Sequence, residues 1–192
     1  RFAEVLLPLI DEDIDKAVAT AQEVLAAFAI QYRESWVEGM RAKLGLIEAH
    51  ESDQELASEL TQLLEEHQLD YTSTMRSLSS IAREAGSISH PLLATSEEFT
   101  TWGQQWLHRL DQQPGRQAAA ADRMDTINPV YIPRNNKVEE ALSSAVDDQN
   151  LELFERLLDL ITHPFEVRDG CESYAEAAPA AFTSCYKTFC GT

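Results

Sequence analysis

Asn128-Pro129-Val130-Tyr131-Ile132-Pro133-Arg134-Asn135 is the stretch that organises this chain. Each proline removes a backbone N–H donor and biases the residue before it toward extended geometry. Pro129 and Pro133 cannot share one helix with their neighbours, so residues 128–135 read as a rigid, extended connector. On both sides of it the apolar residues recur with helical spacing, and no strand-type alternation of useful length or repeat of fixed period occurs. The fold class this implies is all-α: an irregular multi-helix bundle with a proline-rich extended connector and a loosely structured C-terminal tail. The expected division is a helical bundle over residues 1–127, the connector over 128–135, a helical hairpin over 136–164 and a tail over 165–192, together making one compact helical domain.

Upstream of the connector, residues 2–10 form an apolar lead-in bent or broken by Pro8. Asp11 can cap a helix beginning near Glu12. Ile14, Val18, Ala21, Leu25 and Phe28 give that helix one apolar face. Tyr32, Trp36, Met40 and Leu44 continue the spacing, so the segment is either one long helix or a helix that bends near Ala29, with Gly45 as its C-cap. Ser52 and Glu55 have capping-box spacing ahead of Leu56, Leu60, Leu63 and Leu64. Asp70 caps a helix carrying Met75, Leu78 and Ile81, which Gly86 ends, and residues 87–95 read as a loop. Ser96 caps the helix of Phe99, Trp102, Trp106 and Leu110; Pro114-Gly115 breaks the chain before an alanine-rich helix over 116–125. Downstream, Asn135 caps a helix with Val138, Ala141 and Leu142, and Asn150 caps one with Leu153, Phe154, Leu157, Leu158 and Ile161 that Pro164 stops.

The 192 residues are 44% apolar and 25% charged, the mix of a soluble globular protein. A formal net charge of −18 argues against nucleic acid and against anionic membrane surfaces as partners, because both require concentrated Lys and Arg. The first residue is Arg1, with no signal-peptide pattern and no apolar run of spanning length, which suggests a piece of a longer chain. Three cysteines, Cys171, Cys185 and Cys190, are too few for a disulfide framework, so a reducing compartment is the default.

Catalytic signatures are sparse. Neither the phosphate-binding Gly-x-x-x-x-Gly-Lys-Ser/Thr nor Gly-x-Gly-x-x-Gly occurs, and no Cys-x-x-Cys occurs. His50, His67, His90, His108 and His163 are far apart, with no pair at helical i, i+4 spacing. Glu65-Glu66 and Glu139-Glu140 are adjacent pairs whose side chains diverge by about 100° on a helix, the pattern of a solvated face. His108-Arg109-Leu110-Asp111 lacks the spacing of a kinase catalytic loop. The stripe Phe99, Trp102, Trp106 reads as core packing in preference to a stacking platform. Arg134 beside Asn135 can hold an anion at a helix start, but the stronger reading is an arginine paired with nearby acids and an asparagine cap. Cys190, two residues from the end, is either an accessible, oxidisable thiol or an inert tail residue.

Several separated motifs do share a pattern. Leu6 to Leu9 with Asp11 and Glu12, then Gly39-Met40-Arg41-Ala42-Lys43-Leu44-Gly45-Leu46, Asp70-Tyr71-Thr72 with Arg76, and Asn128-Pro129 with Ile132-Pro133-Arg134-Asn135 come in that order. Val138-Glu139-Glu140-Ala141, His163-Pro164-Phe165 and Thr188-Phe189-Cys190-Gly191-Thr192 follow. The set resembles the C-terminal portion of the selenoprotein O family, pseudokinase-fold protein adenylyltransferases. Asn136 departs from the histidine often found after Arg-Asn in that family.

The resemblance implies a parent enzyme that moves AMP from ATP to protein hydroxyls with Mg or Mn, in a bacterial cytoplasm. The nucleotide-binding lysine, catalytic acid and metal ligands of the family belong to its kinase-like core, and no position here matches them. The implied role of this chain is therefore non-catalytic: it packs on and supports the upstream kinase-like core, holds no cofactor itself, and serves the parent's protein substrates indirectly. Cys190 matches the near-terminal selenocysteine of eukaryotic members, a position the family links to redox control. The competing expectation is a stand-alone acidic helical protein-interaction module.

Overall fold

A computed structural model describes residues 1–84 and 91–187, and among these every regular element is helical. Two compact units are present, Arg1–Arg41 and a larger one from Ala42 onward.

The first unit holds α1 (Phe2–Ile10) and most of α2 (Ile14–Lys43). Pro8 sits inside α1 without ending it. The cap expected at Asp11 is made by Asp13: its Oδ1 accepts from the N–H groups of Asp15 and Lys16, while Asp11 accepts from Asp13. Three acids in a row each compete for the free amides, and the one nearest the first helical residue takes them. α2 runs unbroken past Ala29. Its apolar face has the predicted spacing, yet Ile14, Leu25 and Phe28 are each more than half exposed, and no residue of α1 is buried.

In the larger unit, α2 ends as expected at Gly45, whose φ of +76° only glycine adopts without strain. Four helices follow: α3 (Asp53–Glu66), α4 (Tyr71–Arg83), α5 (Glu97–Asp111) and α6 (Arg116–Ile127). Asp70 and Ser96 cap α4 and α5 by accepting from Ser73 and Phe99 N–H, as their sequences predict. The Ser52 capping box does not form; Asp53, one residue on, takes up the His50 N–H instead. α4 ends at Arg83, before Gly86, which lies outside the described residues. α4 packs on α6, α3 on α5, and α5 on α6. Leu60, Leu78, Ile81, Phe99, Trp102, Trp106 and Leu110 fill the space between, each at most 2% exposed. Ala120 and Ala121 on α6 are fully buried, and such small side chains let α4 approach closely.

The connector then leads to α7 (Asn135–Asp147) and α8 (Glu152–Thr162), which pack on each other. Asn135 is the first residue of α7 and makes no capping bond, contrary to expectation; Arg134 holds the cap position. Two short helices follow, α9 (Glu172–Ala175) and α10 (Ala180–Cys185). Cys171 and Tyr174 from this stretch join Tyr131, Ala141, Leu157 and Leu160 in a second small core.

Candidate functional site

Residues that stand far apart in the sequence meet around the connector. Asp70 caps α4, its Oδ1 accepting from Ser73 N–H at 2.8 Å and Ser73 Oγ–H at 2.6 Å. The guanidinium of Arg134 reaches the same carboxylate with both arms, Nη1 to Oδ2 at 2.9 Å and Nη2 to Oδ1 at 2.8 Å. Nη2 also donates to the carbonyl of Ala175 at 3.0 Å. The Arg134 side chain is 6% exposed and that of Asp70 26%, so water reaches the fork from the carboxylate side only. The hydrogen bond from Arg134 holds the Asp70 carboxyl well below the usual carboxylate range, with Ser73 adding to it against the cost of burial.

A second polar cluster fixes the start of the connector. Arg76 donates to the carbonyls of Asp125 and Asn128 and pairs with Asp125 Oδ1 at 2.9 Å. Ser79 and Arg83 donate to the same carboxylate at 2.6 Å each. Burial opposes ionisation of Asp125, but the bonds from Ser79 and Arg83 and the charge of Arg76 outweigh it and lower its pKa. Asn128, fully buried, donates to the carbonyl of Lys43 at 2.8 Å. Past Pro129, the N–H groups of Val130 and Tyr131 both donate to the carbonyl of Pro164, at 2.7 and 3.2 Å. The extended backbone has no helix to satisfy its donors, and the chain after α8 supplies the acceptor instead.

Asp70, Pro133, Arg134, Phe182 and Tyr186 line an open groove of about 520 Å³ beside this lattice. Phe182 and Tyr186 stack at 4.8 Å, and Tyr186 Oη–H donates to Glu139 at 3.0 Å, which ties α10 to α7. Among the described residues lining the groove, the one carboxylate, Asp70, is committed to Arg134 and Ser73. What the arrangement does is mechanical. Four segments, namely α4, the connector, the turn at Pro164 and the tail through Ala175, are cross-linked, the first and last by the Arg134 side chain and the turn by backbone hydrogen bonds.

Cys190, the candidate thiol of the sequence, lies outside the described residues, as does His90. Trp102 and Trp106 stack at 5.7 Å inside the core, and their indole N–H groups donate to the carbonyls of Leu56 and Leu44. Arg134 pairs with an acid, as expected of an arginine at the start of a helix in an acidic chain. His50 bonds Ser52, His108 bonds Gln112, His163 sits against Asp159, and His67 faces Phe99. Among the described residues no three His, Cys, Asp or Glu side chains converge as metal ligands.

The ion pair of Arg109 and Asp53 is absent from the sequence expectations; its side chains are 9% and 0% exposed, with Nε to Oδ1 at 2.9 Å. Arg109 also donates to the carbonyl of Glu48 at 2.6 Å, and Gln113 Oε1 accepts from Ile47 and Glu48 N–H. The available signal was position: Arg109 falls three residues after Trp106, on the apolar stripe itself, where a charge needs a buried partner.

Comparison with known proteins bears on the whole chain. The family model described as "Protein adenylyltransferase SelO" matches residues 1–162. A protein of Geobacillus kaustophilus named Protein nucleotidyltransferase YdiU is 44% identical over 192 residues, covering all of this chain and 38% of that protein. Proteins with the same name from Bacillus cereus and Mycobacterium sp. (strain KMS) are 38% and 44% identical, again over the whole chain and 38% of the relative. The chain thus spans well under half the length of the curated relatives it matches.

Proposed function

This chain belongs to the SelO family, and we propose that it is the helical C-terminal region of a protein adenylyltransferase, packing on and supporting an upstream kinase-like core. The observation that carries this reading is the bare apolar surface of the first unit. Phe2, Val5 and Leu9 of α1 are 74–82% exposed, and Val24, Leu25, Phe28 and Tyr32 of α2 are each more than half exposed. A helix as apolar as α1 with nothing buried needs a covering surface, because isolated helices of this length do not hold in water. The extra length of the relatives supports the idea that the cover is the remainder of the longer protein.

On this reading the transfer of AMP from ATP to protein hydroxyls, and the divalent metal it uses, belong to that remainder. The residues described here do not fit either group: they offer no phosphate-binding glycine loop and no converging metal ligands. The chain's contribution is a rigid support, with the connector fixing the tail at Ala175 and α7 holding Tyr186 through Glu139. Cys190, the position matching the family's near-terminal selenocysteine, supplies an oxidisable thiol for redox control.

Hydrogen exchange compared between this chain and the full-length protein tests the packing. Amides of residues 2–32 are expected to gain protection in the full-length protein, and equal exchange in both overturns the reading. Saturable, magnesium-dependent ATP binding by this chain alone overturns the assignment of the chemistry elsewhere. Cys190→Ser in the full-length protein is expected to change how activity responds to oxidant; an unchanged response removes the redox role.

A further inference from the structure

The apolar surface of the α7–α8 hairpin is only partly buried by the second core. Ala141, Leu157 and Leu160 point into the second core with Tyr131 and Tyr174. At the outer edge of that core, Pro133, Leu142, Phe154 and Leu158 join the core residues Ala141 and Leu157 round a cleft of about 150 Å³ whose walls are almost wholly apolar. Leu142, Phe154 and Leu158 are 44–48% exposed there, and the exposed Val146 and Leu151 stand on the same two helices and the turn between them.

The surroundings of this cleft are acidic. Residues 135–162 carry seven acidic side chains against two basic ones, Lys137 and Arg156. Lys137 is committed to Glu140, and Arg168, from beyond the hairpin, pairs with Asp159. Glu139 lies one helical turn before Leu142, and Glu155 one turn before Leu158. Among the described residues no lysine or arginine pairs with either glutamate.

We propose that this face docks a basic amphipathic helix of a partner protein. One large apolar side chain of the partner enters the cleft, a second one turn along rests on Phe154 and Leu158, and flanking Lys or Arg side chains meet Glu139 and Glu155. A shallow channel between two helices is the shape that receives a third helix. Charge selects the partner: a second copy of this chain would bring the same acidic rim against itself, and an acidic partner would be repelled equally. A cleft that takes a single side chain gives modest affinity, in a range of about 1–100 μM.

The full-length protein is titrated into a fluorescein-labelled helical peptide of about 15 residues, long enough to hold a helix when bound. The peptide carries Leu at i and i+4 with Lys at most other positions, and its control has Glu in place of every Lys. Saturable anisotropy is expected with the Lys peptide and not with the Glu peptide. The double variant Leu142→Ala/Leu158→Ala, at exposed positions, is expected to weaken binding about tenfold, and Glu155→Lys about fivefold with a flatter salt dependence. Absence of saturable binding overturns the proposal. So does binding that Leu142→Ala/Leu158→Ala leaves unchanged, since charge alone then explains it. Self-association lost in Leu158→Ala assigns the face to a second copy, and protection of residues 153–161 by the rest of the full-length protein assigns it to the same chain; either result overturns the proposal.

Discussion

Arg134 and Asp70 meet through two parallel hydrogen bonds, 2.9 and 2.8 Å, across 64 residues of chain. The same guanidinium holds the carbonyl of Ala175, so one side chain fixes the α4 cap, the connector and the tail at once. Arg134→Ala is expected to destabilise the protein by about 1–3 kcal/mol, the loss of a charge-assisted bidentate pair whose carboxylate water can partly resolvate. Arg134→Lys keeps the charge but not the planar fork and is expected to fall between wild type and Arg134→Ala. Thermal denaturation gives the ranking. Hydrogen exchange should show the first loss of protection in α9 and α10, and uniform loss across α3–α6 instead would contradict the latch role.

The same pair sets an acid limit. The folded-state pKa of Asp70 is depressed, so the folded form binds fewer protons than the unfolded form once pH falls to the ordinary carboxylate pKa of about 3.9. Its stabilisation is complete above that value and is lost as pH descends below it toward the folded pKa. Asp125, also depressed, acts in the same direction. The midpoint of urea unfolding is therefore expected to be nearly flat from pH 6 to 7 where these two groups are concerned, and to fall below about pH 4. Arg134→Ala should blunt the fall, because Asp70 then titrates nearer its unfolded value; an equal slope in the variant would show that Asp70 is not a source of it.

The helices are legible in the sequence because their signals are local. Apolar spacing places α2 through α8, and Asp70 and Ser96 stand out as caps from the residues alone. Where several capping residues cluster, as at Asp11 and Asp13, sequence cannot say which oxygen is nearest the free amide; at α3 the expected Ser52 cap bond is not made, and Asp53 instead reaches back to His50 N–H. The connector is legible as extended from its prolines, but its acceptors are not. Pro164 O, Asp70 and Ala175 O come from three other segments, and long-range hydrogen bonding leaves no periodic trace. The tail is opaque for the same reason: Cys171 and Tyr174 are buried by tertiary contacts with α7 and α8.

Two glycines make opposite predictions. Gly45 has a φ of +76°, and a Cβ there would lie 2.9 Å from Ala120 Cβ and 3.0 Å from Met124 Sδ. Gly45→Ala is expected to cost about 2 kcal/mol or more, from left-handed strain together with crowding of α6. Gly39 is an exposed interior residue of α2, and a methyl group added there would meet nothing within 4 Å. Gly39→Ala is expected to stabilise by about 0.5–1 kcal/mol by restricting the unfolded chain. Chemical denaturation of the two variants separates the effects by sign, and a neutral Gly45→Ala would show that the α2 terminus can relax away from α6.

Arg109 and Asp53 provide the sharpest test of how charge is buried here. Arg109→Met leaves the fully buried Asp53 carboxylate facing an apolar side chain and is expected to cost about 3–5 kcal/mol. Asp53→Asn keeps the acceptor for His50 N–H at 2.9 Å but leaves the guanidinium unneutralised. In the double variant neither charge remains, so its cost is expected to be smaller than the sum of the two single costs by about 2 kcal/mol. Some loss persists even then, because the bond from Arg109 to the Glu48 carbonyl, which pins the turn before α3, is gone. Unfolding free energies of the wild type, both single variants and the double variant close the cycle. A coupling near zero would mean that Arg109 acts through Glu48 alone and that the Asp53 pairing contributes nothing of its own.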